Sequence, residues 1–300
     1  MANLSRESFR YYFKISDWNP TKSNLARAFR CIQVEERERI QRFQFKEDFK
    51  PALVGRLLIR KMLNQRFGLA NKAIELKREE KGRPYLVIEE STDDQIFNQG
   101  NQANRPKTFD FNVSHHGDYC VAVAENVMRI GVDIMKIERR YGNRSIDEYF
   151  KLMNEKFTEN EWSFINANRA DDNERLGRFM RMWTLKESFA KADGRGLTID
   201  LRRIDFTCRT ERLRKDRVAD DTLLRFDDQP LTDWTFLEYL LDDNHCVAIA
   251  INRPPTECSS RELLNEIKID QLLENLDSLD ESVDEDSLWR SFDAKSTKGA

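Results

Sequence analysis

Asp133 is an acidic residue in an otherwise apolar stretch, residues 130–135, Ile-Gly-Val-Asp-Ile-Met. The stretch has the length and composition of a short strand, in which an acid is unexpected. A carboxylate buried there needs a partner, because an unpaired buried charge is strongly destabilising. The alternative is an edge-strand aspartate that reaches water or caps the next turn.

Glu187 and Lys191 continue the apolar stripe of a predicted helix. Leu176, Met180 and Trp183 recur at steps of four and three, and two further steps of four reach Glu187 and then Lys191. One interpretation is a surface ion pair, which adds little stability. The apolar residues around the pair favour a partly buried site instead.

Basic side chains cluster near glycines. Arg56 and Arg60 lie one helical turn apart, and Arg78, Lys81 and Arg83 surround a predicted turn. The arginine fork fits two phosphate oxygens, and lysine acts as a point charge for them. For each residue alone, an ordinary solvated charge is the simpler interpretation.

His115 and His116 follow a predicted strand and precede Gly117. Metal-binding histidines usually occur with several cysteines or with further histidines, and these two histidines are not part of such a set. Contact with a phosphate group is therefore the better functional interpretation, and a structural role stays open.

Together these residues indicate a hard divalent cation held by two carboxylates and by substrate phosphates, which is how proteins usually hold magnesium. The sequence has neither a P-loop pattern nor a G-x-G-x-x-G pattern that opens a helix after a strand. Kinase and dinucleotide-binding hypotheses therefore lack their phosphate-binding loop.

The elements that would position these residues occur in two similar sets. Periodicity predicts helices within residues 34–43, 51–67 and 146–192, and strands at 109–113, 119–124, 128–134, 234–240 and 245–251. Helices followed by strands thus occur twice. This order predicts an α+β fold of two similar α/β halves, residues 1–130 and 131–253.

Residues 254–300 differ in composition from the rest of the chain. Residues 270–286 contain eight acidic residues and no basic one, with leucines between them. This pattern favours an acidic, flexible tail. The alternative is an amphipathic helix that binds a partner.

The composition limits compartment and partners. A net charge of −3 gives no global field that would favour nucleic acid. The five cysteines are scattered and include no C-x-x-C pair, which is typical of reduced thiols in the cytoplasm. Neither a signal peptide nor a stretch long enough to span a bilayer is evident, so we expect a cytoplasmic protein without a membrane partner.

Three segments resemble the signature motifs of the Sfp-type 4′-phosphopantetheinyl transferases. They are Phe-Asn-Val-Ser-His at 111–115, Gly-Val-Asp-Ile at 131–134, and Trp-Thr-Leu-Lys-Glu-Ser-Phe-Ala-Lys at 183–191, extended by Gly194, Gly196 and Leu197. Residues 55–63 and 81–84 resemble two auxiliary segments, and 35–40 and 134–136 resemble the animal branch of the family. The resemblance covers roughly residues 8–253, with the motifs in the family's order.

The resemblance implies a fold of two similar halves with the active site between them. It also implies the transfer of 4′-phosphopantetheine from coenzyme A to a serine of apo carrier domains, such as acyl carrier protein or those of fatty-acid synthase and aminoadipate-pathway enzymes. Adenosine 3′,5′-bisphosphate would be released, and the enzyme would act as a monomer. The rivals are a catalytically idle coenzyme A or nucleotide-binding module and a metal-dependent phosphodiesterase.

The resemblance also implies roles for individual residues. Asp133 and Glu187 would bind Mg²⁺; Glu187, Lys191 and His115 would be catalytic. Many bacterial members carry an acid where this chain has Met135, so water, held by His116, would take the place of a third carboxylate. Coenzyme A would be held by Arg39, Arg78, Glu79, Glu80, Lys81, Gly82, Arg83, Asn112, Val113, Ser114, His115, Glu187 and Lys191.

Overall fold

The computed structural model describes residues 8–80, 82–87, 109–139, 142, 144–194, 199–257 and 261–298. The helices of these ranges are α1 (Lys22–Arg30), α2 (Val34–Gln41), α3 (Lys46–Phe67), α4 (Ile146–Leu152), α5 (Glu159–Ile165), α6 (Asp172–Asp193), α7 (Ile269–Leu273) and α8 (Glu285–Asp293). The strands are β1 (Ser8–Lys14), β2 (Leu76–Arg78), β3 (Pro84–Leu86), β4 (Asp110–His116), β5 (Tyr119–Glu125), β6 (Ile130–Lys136), β7 (Ile204–Thr207), β8 (Leu223–Phe226), β9 (Gln229–Pro230), β10 (Thr235–Asp242), β11 (His245–Ile251) and β12 (Asn265–Glu266). Mixed helices and strands confirm the α+β class.

The chain divides into two compact units whose boundaries differ from the predicted ones. The first unit contains residues 1–107, 118–122 and 265–300, and the second contains residues 108–117 and 123–264. Strand β4 therefore belongs with β6, although a division at residue 130 separates them. The reason is that β4 packs beside β6 and its side chains bond to that strand.

Helix α3 is the longest helix of the first unit. Glu47 and Asp48 stand in its first turn, where acids interact favourably with the helix dipole, and it ends at Gly68, whose φ of 66° favours glycine. Leu53 and Leu57 are among its fully buried residues. The helix contacts β1, which pairs in parallel with β12.

The prediction of a flexible acidic tail was wrong for residues 265–298. Leu272, Leu273 and Phe292 are buried, and α8 packs against α1. Several of the acidic residues pair with basic residues of the same unit, as Asp280 does with Arg37 at 2.8 Å and Glu285 with Arg30 at 2.9 Å. Apolar burial and ion pairing together hold this segment in place, although its composition suggested solvation.

The second unit contains an antiparallel sheet in the order β10–β11–β6, with a separate sheet β7–β8–β9. Helix α6 packs against β6 and β11. The Asp171 carboxylate caps this helix by accepting the N–H groups of Asn173 and Glu174, and the helix ends at Gly194, whose φ is 83°. The core of this unit includes Phe179, Leu185 and neighbouring apolar residues.

Both units present their elements in a similar order. One strand (β1 or β6) is followed by three helices, of which the third (α3 or α6) has 22 residues, and then by a hairpin (β2–β3 or β7–β8). This order agrees with the predicted internal repeat. In the described part of the chain, no helix is both long and apolar enough to cross a membrane.

Candidate active site

The backbone of α6 lies directly on β6 at Gly131. A Cβ atom at this position would lie 2.0 Å from the Ser188 carbonyl oxygen and 2.6 Å from the Ala192 nitrogen, distances that no side chain can occupy. Glycine is required here because of this close approach. Glu187 and Lys191 immediately precede the two contacted residues, so the approach brings them to the part of β6 that carries Asp133.

Asp133 is buried in β6 and has one bonded and one unbonded carboxylate oxygen. Its Oδ1 accepts hydrogen bonds from Lys191 Nζ at 2.6 Å and from Ser114 Oγ at 2.8 Å. Its Oδ2 is buried and has no hydrogen-bond partner within the described residues. The predicted need for a partner is thus met at one oxygen only.

Glu187 lies one helical turn before Lys191 and is half-buried. Burial raises the pKa of its carboxyl above the ordinary value, the negative charge of Asp133 raises it further, and Lys191 acts in the opposite direction. Glu187, whose pKa is raised, lies beside a second carboxylate that has a buried, unbonded oxygen, and a divalent cation would offset the negative charge of both groups.

The side chains of β4 alternate between two environments. Asn112 and Ser114 are buried on the side that bonds to β6, where Asn112 Oδ1 accepts the Val132 N–H at 3.0 Å. On the same side, His116 Nδ1 accepts the Lys136 N–H at 2.8 Å. His115, on the other side, is exposed, and Val113 is half-buried.

The basic cluster of the first unit surrounds Glu36, a buried acid on α2. Arg78 donates to Glu36 from Nε at 3.1 Å and from Nη2 at 2.9 and 3.0 Å, and it donates to the Gly82 carbonyl from Nη1 at 2.7 Å. The pKa of Arg56 is lowered to about 10, mainly by burial and also by the charges of Arg78 and Arg39, whereas Glu36 acts against the shift. Arg78 and Arg56, whose Nε lies 3.8 Å from Glu36 Oε2, thus share one carboxylate, and the charge of Arg39 adds to an excess of positive charge.

The other predicted residues of the site lie in the β2–β3 hairpin, on α2 or beyond the described ranges. Glu79 N–H donates to the Arg83 carbonyl at 2.8 Å and Gly82 N–H donates to the Glu79 carbonyl at 2.8 Å, which forms the turn. Glu80 and Arg39 are exposed. Lys81, Gly196 and Leu197 lie outside the described residues.

Comparison with known proteins identifies the family. The model described as "4′-phosphopantetheinyl transferase, N-terminal" matches residues 16–127, and the one described as "4′-phosphopantetheinyl transferase superfamily" matches residues 129–250. The L-aminoadipate-semialdehyde dehydrogenase-phosphopantetheinyl transferase of Xenopus laevis is 41% identical over 244 residues, which is 81% of this chain and 76% of that protein. The chain belongs to the 4′-phosphopantetheinyl transferase family.

Other organisms supply further members of the transferase family. The Homo sapiens protein of the same name is 38% identical over 250 residues, 83% of this chain and 76% of that protein. A phosphopantetheinyl transferase of Thraustochytrium is 36% identical over 241 residues, 79% of this chain and 76% of that protein. The predicted family, its animal branch and the enzyme class are confirmed.

The donor set of this transferase fits a hard divalent cation. Carboxylate oxygens are the ligands that magnesium prefers, and Asp133 Oδ2 is buried without a partner. In the described ranges, no three residues among histidine, cysteine, aspartate and glutamate form a metal-binding group. The candidate donors are the pair Asp133 and Glu187, and Met135 supplies no carboxylate.

The sequence did not predict Ser114 as a hydrogen-bond partner of Asp133 and Lys191, or Glu36 as a partner of the arginines. Ser114 bonds to both Asp133 and Lys191, and Glu36 gathers the arginines of the basic cluster. Period-two alternation from Asn112 signals that Ser114 faces the same strand. No local pattern distinguishes Glu36 from Glu35 and Glu38, because its burial depends on the packing of α2.

Proposed function

We propose that this transferase moves 4′-phosphopantetheine from coenzyme A to the serine hydroxyl of an apo carrier domain, with Mg²⁺ bound by Asp133 and Glu187. The observation that carries the metal proposal is the unbonded, buried Oδ2 of Asp133 beside a second carboxylate whose pKa is raised. The bound ion would neutralise charge that develops on the pyrophosphate of coenzyme A.

The reaction breaks the phosphoanhydride bond of coenzyme A and forms a phosphodiester with the serine. The serine oxygen forms a bond to the β-phosphorus, the bond from that phosphorus to the bridging pyrophosphate oxygen breaks, and adenosine 3′,5′-bisphosphate leaves. Glu187 accepts the serine proton, a role that its raised pKa supports, because a base works best when its pKa lies close to the working pH. Lys191, which bonds to Asp133 and Ser114, supplies positive charge to the pyrophosphate and the leaving group.

We propose that coenzyme A is also held by the basic cluster of the first unit and by His115. The excess positive charge around Glu36 supports a phosphate contact for Arg39, Arg78, Gly82 and Arg83. The exposure of His115 supports a contact through its imidazole. In the same stretch, the Asn112 side chain already bonds to β6, and the Ser114 side chain already bonds to Asp133 and Lys191. We therefore propose Val113 and the backbone of this stretch as further contacts of coenzyme A.

The names of the animal relatives support an acceptor of the aminoadipate-semialdehyde dehydrogenase type. The family resemblance adds fatty-acid synthase and acyl carrier proteins as proposed acceptors. The repeated order of elements supports a pseudo-twofold relation of the two halves. We further propose that the enzyme acts in the cytoplasm as a monomer.

One assay tests the proposed reaction against both rivals. The protein is incubated with Mg²⁺, coenzyme A and an apo acyl carrier protein, and the carrier is weighed by mass spectrometry. We expect the mass of one phosphopantetheine arm to be added. Consumption of coenzyme A without an acceptor would favour a phosphodiesterase, and binding of coenzyme A without any turnover would favour an idle module.

Glu187→Gln tests the base. The amide has the shape of the carboxylate but cannot accept the proton, so we expect transfer to fall by about 100- to 10,000-fold. Glu155→Gln, which changes an exposed acid outside the site, should transfer normally. Near-normal turnover of the Glu187 variant would refute the proposed role.

A further inference from the structure

One face of β4 bonds to the edge of β6 through side chains. In the sheet β10–β11–β6, β6 is an outer strand, so its alternate N–H groups point away from β11. Three of these groups are bonded by β4 residues twenty positions earlier. Ile130 N–H donates to Asp110 Oδ2 at 2.8 Å, Val132 N–H to Asn112 Oδ1 at 3.0 Å, and Lys136 N–H to His116 Nδ1 at 2.8 Å.

This arrangement fixes the position of β6 along its own axis. Buried backbone N–H groups need acceptors, and here polar side chains replace the backbone of a neighbouring strand. The constant spacing of twenty residues means that a slip of β6 would break three bonds together. Asp133 follows Val132 directly, so its backbone is held in place by the bond to Asn112.

Ser114 occupies the remaining position of this face and bonds to a side chain instead. Its hydroxyl donates to Asp133 Oδ1 at 2.8 Å and accepts from Lys191 Nζ at 2.8 Å, while Lys191 also donates to Oδ1 at 2.6 Å. Oδ1 thereby receives two donors and Oδ2 receives none among the described residues. The carboxylate is oriented with one oxygen already bonded within the protein and the other available.

We propose that Ser114 is a positioning residue for metal binding, because its hydroxyl holds Asp133 so that Oδ2 is the oxygen left for the cation. This inference rests on the proposed metal site and gives Ser114 a role different from the coenzyme A contact that the family resemblance implies. Hydrogen-bonded partners of ligating carboxylates commonly govern metal affinity. The hydroxyl also holds Lys191, so the charge on Oδ1 stays paired while Oδ2 stays open.

The test measures metal binding without any turnover. Mn²⁺ is titrated into the metal-stripped full-length chain and followed by electron paramagnetic resonance, in the absence of coenzyme A. We expect Ser114→Ala to weaken Mn²⁺ binding by about 10- to 100-fold, the range found for partners of metal ligands. Ser163→Ala, which removes a serine hydroxyl that donates to the Glu159 carbonyl and to no other group among the described residues, should bind Mn²⁺ like the wild type.

A shape-matched pair separates the hydroxyl from side-chain volume. Threonine and valine at position 114 have nearly the same shape, and only threonine can donate to Asp133. We expect Ser114→Thr to bind Mn²⁺ more tightly than Ser114→Val, and this comparison stands even if Ser114→Ala does not fold. Equal affinity in the pair would overturn the inference.

Coenzyme A affinity distinguishes the two roles of Ser114. If Ser114→Ala binds Mn²⁺ normally but has a raised KM for coenzyme A, the hydroxyl contacts the substrate and the positioning role is wrong. If the wild type transfers phosphopantetheine but binds no Mn²⁺, the proposed metal site itself fails. If the wild type binds Mn²⁺ and transfers normally, and Ser114→Ala binds Mn²⁺ with unchanged affinity, the positioning role of Ser114 is refuted. The proposed metal site then still stands.

Discussion

Helix α3 of the first unit and helix α6 of the second each have 22 residues and end at a glycine in the left-handed region. Both also bury charged side chains. On α3, Arg60 donates to the carbonyl and side-chain oxygens of Asn71 at 3.0 and 2.8 Å and to the Ile74 carbonyl at 3.1 Å. Lys61 donates to the Glu274 carbonyl at 2.8 Å. Both cations thus bond to uncharged oxygens of their own unit, and Lys61 Nζ also lies 3.7 Å from the carboxylate oxygen Oε2 of Glu274.

Helix α6 holds two kinds of buried charge. Lys186 pairs with Glu161 at 2.8 Å, both side chains are fully buried, and Lys186 also donates to two carbonyl groups. Five residues later, Lys191 pairs with Asp133, whose Oδ2 stays unbonded. Within the described residues, this is the one carboxylate oxygen that is buried without a hydrogen-bond partner.

The comparison shows that burial of charge alone does not mark a functional site. Buried cations such as Arg60 and Lys186 complete the bonding of backbone and side-chain acceptors, which is a structural role. An acid with an incomplete set of bonds beside a second acid indicates a ligand instead. The consequence is that neighbouring residues of one helix should respond to substitution in opposite ways.

Lys186→Met should have the largest effect on stability. It leaves Glu161 charged, buried and without its cation, so we expect the free energy of unfolding to fall by about 3–5 kcal/mol. Chemical denaturation measures this loss. The second change Glu161→Gln should restore part of it by removing the uncompensated charge. Transfer per folded molecule should stay near normal, and its loss would mean that this pair also serves the active site.

Arg60→Met should have a smaller effect on stability and none on the chemistry. The change removes donors from the buried oxygens of Asn71 and Ile74, which should cost about 1–3 kcal/mol in chemical denaturation. The exposed Arg27, changed to methionine, is the matched control. A variant of normal stability that binds coenzyme A poorly would instead assign Arg60 to the basic cluster.

The sequence predicts most of what lies within one element. The apolar stretch around Asp133 is a strand, and the steps of three and four that reach Glu187 and Lys191 belong to one helix, because the periods of strands and helices are local. Packing is less accessible. Leu272 and Phe292 are buried by contacts with distant parts of the chain, and the acidic composition around them gives no indication of this burial.

The bonding inside the site is only partly accessible from the sequence. The need of Asp133 for a partner follows from its apolar surroundings, but the choice of Lys191 and Ser114 depends on how α6 crosses β6 at Gly131. The same holds for Glu36, whose burial follows from the placement of α2. Contacts between elements are tertiary, and a single sequence carries no direct signal for them.

Glu187→Gln should have the smallest effect on stability, although it abolishes most transfer. An acid whose pKa is raised in the folded protein destabilises the fold once the pH rises above its unfolded-state pKa, because the charged form is disfavoured in the folded protein. The metal-free variant should therefore be as stable as the wild type at low pH and equal or more stable at higher pH. Thermal unfolding across this range measures the difference.

With Mg²⁺ added, the wild type should become more stable than Glu187→Gln. The wild type binds the ion in its folded state and should gain stability, whereas the Glu187 variant should gain little, because a ligand that binds only the folded state stabilises it in proportion to affinity and concentration. A Glu187 variant that loses stability without metal, as Lys186→Met should, would place Glu187 among the structural charges. The contrast between the two neighbours on α6 would then fail.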